Sequence, residues 1–155
     1  TPIPFEQARL GLTYDPDRAR LNVTNLAVES ATARLAANGH ISLLGADGRA
    51  LTGELEGNLP AAFLAQMQFS DVRIDPEGLF ETPVTFTEGA LDLRLTLQPF
   101  RVEIGQLSLI EDGRRLLASG NAEAREDGWH LGMNVSLNEI GAQKLVALWP
   151  LRLVP

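Results

Sequence analysis

The amino-acid sequence predicts an all-β, mainly antiparallel fold with two short helices: a curved sheet, or β-groove, built from two tandem repeats. Three observations carry that expectation. Apolar and polar residues alternate along most of the 155 residues, the mark of half-buried strands. The chain also resembles itself at a constant offset. Finally, Gly39, Gly53, Gly57, Ala118, Gly120, Ala122 and Ala124 all fall in the apolar phase, where small residues permit bending and close strand approach.

The offset is 81 residues. It aligns Thr1, Pro2 and Phe5 with Thr82, Pro83 and Phe86, and Leu10 and Leu12 with Leu91 and Leu93. It places Arg20 on Arg101, Leu26 on Leu107, Arg34-Leu35 on Arg115-Leu116, Ala37 on Ala118 and Gly39 on Gly120. Unrelated sequences of ordinary composition would share about 3 identities over such a stretch. Beyond Gly39 the alignment slips by one, so that Leu51, Leu55 and Asn58 meet Leu131, Val135 and Asn138. The expected units are residues 1–81 and 82–155.

In the first unit, Leu10, Leu12 and Tyr14 share a face, and Asp15-Pro16-Asp17 turns the chain. Leu21 and Val23 follow, and a phase change near Asn25 into Leu26 and Val28 predicts a bulge. The third strand sets Leu35, Ala37, Gly39, Ile41 and Leu43 against Arg34, Ala36, Asn38, His40 and Ser42. A turn at Gly45-Ala46-Asp47-Gly48 leads to a fourth, with Leu51, Gly53, Leu55 and Gly57 on one side.

The second unit repeats the arrangement. Leu91, Leu93, Leu95 and Leu97 form a stripe, and Val102 and Ile104 change phase into Leu107 and Leu109. Asp112-Gly113 is a hairpin signal. Leu116 to Ala124 follow, and Asp127-Gly128 turns into Trp129, Leu131, Met133, Val135 and Leu137. A short helix is expected to close each unit. One spans Ala61–Met67 behind Pro60; the other spans Ala142–Trp149, stopped by Pro150. Residues 70–81 read as the linker, turning at Asp75-Pro76-Glu77-Gly78.

Composition narrows the function. Thirteen Lys and Arg against 20 Asp and Glu leave a net charge of −7, which argues against nucleic acid and anionic membrane surfaces as partners. There is no cysteine, hence no disulfide or thiolate metal site. No apolar run reaches the roughly 18–20 residues of a membrane-spanning helix. The chain starts at Thr1 with neither Met nor a signal-peptide pattern, and is read as a piece of a longer protein.

Nothing in the sequence points to an enzyme or a cofactor. His40 and His130 sit in polar strand phases and do not correspond under the repeat, so both read as solvated strand residues. No HExxH, GxSxG or P-loop spacing occurs. Asp71, Asp75 and Glu77 are too few for a calcium loop. Arg34 and Arg115 occupy equivalent outward positions; carboxylates such as Glu54 or Glu56 are the expected partners of such a residue, and lipid headgroups the alternative.

About eight strands with one apolar side each pose a covering problem. An antiparallel sheet leaves one face wet only if the other is covered. Two short helices do not suffice, so the sheet must close, fold over, or curl into a trough that something else fills. Aromatic residues are only 6%, which favours a Leu-lined trough over a filled sandwich.

These strands resemble the AsmA-like superfamily, including its YhdP and TamB types. The resembling stretches are Leu21-Asn22-Val23-Thr24-Asn25-Leu26-Ala27-Val28, Arg34-Leu35-Ala36-Ala37-Asn38-Gly39, and the closing Ala147-Leu148-Trp149-Pro150 with Val154-Pro155. The resemblance implies a periplasmic segment of an inner-membrane-anchored envelope protein of Gram-negative bacteria, whose β-groove carries phospholipid toward the outer membrane. It implies no catalytic residues. Phospholipid acyl chains and neighbouring repeats of the same chain would be the partners, and Leu35, Ile41, Leu55, Leu116, Leu131, Met133 and Val135 the expected groove lining. The competing expectation is a spacer module with a packed core that mediates assembly. Cut repeats expose strand edges, so edge-to-edge self-association of the fragment is expected under either.

Overall fold

The structure is a computed structural model that describes residues 7–52, 59–75, 83–112, 114–125 and 128–138. Eight strands follow one another: β1 (Gln7–Asp15), β2 (Arg20–Glu29), β3 (Ala33–Leu44), β4 (Ala62–Ile74), β5 (Val84–Thr96), β6 (Arg101–Glu111), β7 (Arg114–Arg125) and β8 (Gly128–Asn138). They form one sheet in the order β1 to β8, every neighbouring pair antiparallel. The sheet is open, with β1 and β8 at its two edges. There is no helix among the described residues.

The alternation explains the strands. Cross-strand pairs bring like residues together: Leu10 faces Leu26, Val28 faces Leu35, Leu91 faces Leu107, and Leu116 faces Leu137. The phase change at Asn25 is a bulge, with the β2–β3 register slipping between Val23 and Leu26. The β6–β7 register slips between Ile104 and Leu107, 81 residues on. The slips between Gly11 and Leu12 in β1 and between Asp92 and Leu93 in β5 are separated by the same distance.

Two expectations are corrected. Residues Ala62–Met67, read as helix, belong to β4. A seven-residue helix is marginal by itself, and Phe63, Ala65, Met67 and Phe69 alternate with Leu64, Gln66, Gln68 and Ser70 at the strand period. Alanine-rich propensity therefore yields to pairing on both sides. The place beside β3 expected for the segment from Leu51 is taken by β4, and residues 53–58 lie outside the described residues. β4 occupies the free edge of β3 from Leu44↔Ala62 to Ala33↔Ile74. Leu51 contributes one hydrogen bond, its N–H donating to the Leu43 carbonyl at 2.9 Å. β4 offers Phe63, Met67, Phe69, Val72 and Ile74 to the apolar side, against two leucines and two glycines in Leu51–Gly57. Strand pairing favours the bulkier set. The expected linker shrinks accordingly, because residues 70–74 complete β4. The second expected helix, Ala142–Trp149, lies outside the described residues.

Most buried residues lie towards the two ends of the strands, with Val23 and Ala37 buried between them. Val72, Val84 and Phe86 form one cluster, with Leu35, Phe69 and Leu109 packed on it. Ala19, Leu43, Leu44 and Ala62 are buried near the other end, where the Leu43 N–H donates to the Ala19 carbonyl at 2.8 Å and the Ala61 N–H to that of Leu44 at 2.8 Å. Gly39 and Gly120 are where strands approach most closely. A Cβ on Gly39 would meet the Gln66 carbonyl oxygen and the Cα of Met67; one on Gly120 would meet the Gly132 carbonyl oxygen and the Cα of Met133. Both obstacles are backbone, so side-chain rotation offers no relief. Gly39→Val and Gly120→Val are each expected to lower unfolding free energy by about 1–3 kcal/mol, the usual range for overpacking. Urea unfolding followed by circular dichroism checks this; unchanged midpoints would contradict it.

Candidate functional site

The apolar side of the sheet is the candidate site. It runs unbroken across all eight strands, from Leu10, Leu12 and Tyr14 through Leu21 and Val23, Ile41, Met67, Leu91 and Leu93, Ile104 and Leu107, and Ala118, to Leu131, Met133 and Val135. Register holds it together. Leu12 lies opposite Val23, Gly39 opposite Met67, Met67 opposite Leu91, and Gly120 opposite Met133. No described element forms a second layer over it, since every substantial element contact is between consecutive strands.

Exposure is uneven along this side. In the middle strands the apolar phase is half-buried and the polar phase exposed, as in Ala65, Met67 and Phe69 against Gln66, Gln68 and Ser70. At the edges the apolar side chains are open. Leu131 is 77% exposed, Met133 69%, Trp129 61% and Val135 54% on β8; Leu10 is 61%, Leu12 48% and Tyr14 39% on β1. Trp129 is steadied by an edge-on contact with Phe100, centroids 5.7 Å apart.

Of the expected lining, Leu131, Met133 and Val135 lie together on β8, beside Leu116 on β7. Leu35 and Ile41 share β3, far across the sheet, and Leu35 packs on the Val72 cluster. Leu55 lies outside the described residues. Phe63 and Met67 were expected in a helix and Val72 in a linker, and Phe69 lay between the two, so none was counted to the face. Their alternation was the available signal.

The opposite side is polar and pairs with itself. Arg34 meets Asp71 at 3.0 Å, where a bulge in β4 turns Asp71 toward it; Glu54 and Glu56 lie outside the described residues. Arg73 meets Asp75 at 2.8 Å. His40 is half-buried between Asn22 and Gln66 in register, and His130 is exposed on β8. Shallow depressions of about 150, 290 and 330 Å³ lie on this side, the first ringed by Arg9, Glu29, Arg34 and Asp71. No group of three metal-ligating side chains occurs among the described residues, and no helix among them is long and apolar enough to cross a membrane.

One polar constellation is charged on all sides. Arg101 on β6 and Arg125 on β7 both donate to Glu123, at 3.0 and 2.9 Å. The hydrogen bond from Arg101, then that from Arg125, holds the Glu123 carboxyl below its ordinary value of 4.5. The same bond raises the Arg101 guanidinium.

No family model matches the chain, and no curated protein or solved structure is detectably similar to it. Fold and face alone therefore define its class: among the described residues, an open, single-layer antiparallel sheet with one apolar side.

A carboxylate with a depressed folded value stabilises above its unfolded value and loses that contribution as pH falls through the folded one. Stability is thus expected to decline below about pH 4.5 as Glu123 gains its proton. Glu123→Gln should flatten this acid limb while lowering stability near neutrality. Urea midpoints measured for both proteins across the acid range test it; parallel curves would contradict the assignment.

Proposed function

We propose that the chain is part of a periplasmic β-groove that binds and conducts phospholipid acyl chains along its apolar side. One observation carries the reading: an apolar surface continuous over eight strands, with nothing among the described residues layered over it. Acyl chains would replace water there at roughly 25 cal/mol per Å² covered. The lower exposure of the apolar phase in the middle strands fits a sheet that curls toward this side, leaving headgroups in water along an open margin. The equal spacing of the β2 and β6 bulges, and of the β1 and β5 slips, supports two tandem units. The resemblance to the AsmA-like superfamily supports the assignment to an envelope protein anchored in the inner membrane. The mechanism needs no cofactor and no catalytic residue, because transfer along such a surface is passive.

Native mass spectrometry after mild purification is expected to show phospholipid adducts. A photo-crosslinking residue at Leu93, central on the face and away from both edges, is expected to label lipid in cells. Adduct-free protein together with labelling of protein alone would defeat the proposal and leave a packed spacer module.

A further inference from the structure

The two edges of the sheet, which have no neighbouring strand among the described residues, are related to a pair of edges already joined inside it. β1 corresponds to β5 at the 81-residue offset, down to the slip between Gly11 and Leu12 and between Asp92 and Leu93. β8 corresponds to β4 at an offset of 66 residues. Both follow a strand bearing the close-approach glycine, with Met67 opposite Gly39 and Met133 opposite Gly120. The Cβ positions of both glycines collide with equivalent backbone atoms. β4 and β5 pair with each other along their whole length. The free edge of β8 is therefore of the β4 kind and the free edge of β1 of the β5 kind.

The geometry points to head-to-tail association, in which β8 of one copy of this chain takes up β1 of a second copy as an antiparallel neighbour. Transposing the β4–β5 ladder fixes the register. Met67↔Leu91 becomes Met133↔Leu10, Ala65↔Leu93 becomes Leu131↔Leu12, and Phe63↔Leu95 becomes Trp129↔Tyr14. On the polar side, Gln68↔Ala90 becomes Asn134↔Arg9. This register matches the most exposed apolar residues of one edge with those of the other.

The β8 edge itself favours pairing. Exposed edge strands are ordinarily blunted by charge, proline or bulges. β8, from Gly128 to Asn138, contains no Lys, Arg, Asp, Glu or Pro. The contact joins unlike surfaces, so it does not close on itself and permits further addition. It holds whether or not the apolar side carries lipid.

The chain lacks cysteine, so introduced thiols report pairing cleanly. Arg9→Cys and Asn134→Cys are made in separate chains and mixed under mild oxidation, so that only intermolecular bonds form between them. Disulfide-linked heterodimer is expected for this pair and lost for Arg9→Cys mixed with Gly132→Cys, which is displaced by two residues. Sedimentation velocity of the unmodified chain should show mass rising with concentration. Asn134→Lys sets a like charge opposite Arg9 and should return the protein to monomer, whereas Asn134→Asp sets an opposite charge and should retain assembly. A monomer at every concentration, equal yields for matched and displaced pairs, or Asn134→Cys linking chiefly to itself through a β8–β8 contact would each overturn the inference.

Discussion

The structure depends on an unbroken antiparallel ladder. Each interior strand is held by the strand before it and the strand after it, and the substantial contacts between described elements are all between consecutive strands. A ladder of this kind is quasi-one-dimensional, its stability approximating a sum of nearest-neighbour terms. Backbone groups are satisfied within the sheet, which lets a single layer persist while much of its apolar surface remains wet. Side-chain burial adds less than in a two-layer domain. No large described side chain is fully buried, and the buried clusters sit at the strand ends, where turns and flanking backbone lean on the sheet.

That dependence explains why most of the fold was legible in the sequence. When each strand answers only to its neighbours, the period-two pattern contains nearly all the relevant information. Leu10 to Tyr14, Leu35 to Leu43 and Trp129 to Leu137 all read as strands and are strands. The bulge near Asn25 was readable because the pattern itself slips there. Legibility failed where local propensity and strand period disagreed. Ala61-Ala62-Phe63-Leu64-Ala65-Gln66-Met67 carries good helix formers, yet its alternate positions are apolar, and the open edge of β3 decides between the two. The choice of 62–74 over 51–57 beside β3 was less accessible, since it compares two alternating segments competing for one edge.

The site followed the same rule. Leu131, Met133 and Val135 could be assigned to the apolar phase because β8 alternates cleanly, and Leu116 because its strand does. Met67 was lost with the helix misreading and Phe69 in the gap between helix and linker, although both lie on the apolar face. The Arg34–Asp71 pair had no sequence signature. It requires knowing that residues 37 apart lie on adjacent strands and that a bulge turns Asp71 toward the arginine.

The face and the edges also constrain each other. An interior strand has neighbours on both sides to shelter its apolar side chains; an edge strand has one. The high exposure of Leu10, Leu12, Leu131 and Met133 is the direct consequence of that missing neighbour. Joining β8 to a second β1 would supply it, and would hide those side chains to the degree now seen in β4 and β5. It would not cover the middle of the face. Each added copy instead extends the same apolar surface by another eight strands, while the new contact shelters only the margins it joins. Self-association therefore relieves the edges but enlarges the solvation problem of the face. On the proposed function, a partner that lies on the face, rather than beside it, would answer that problem, and its chemistry would have to suit a long apolar surface with a polar border. An acyl chain with a charged headgroup would do so without any specific polar contact to the sheet.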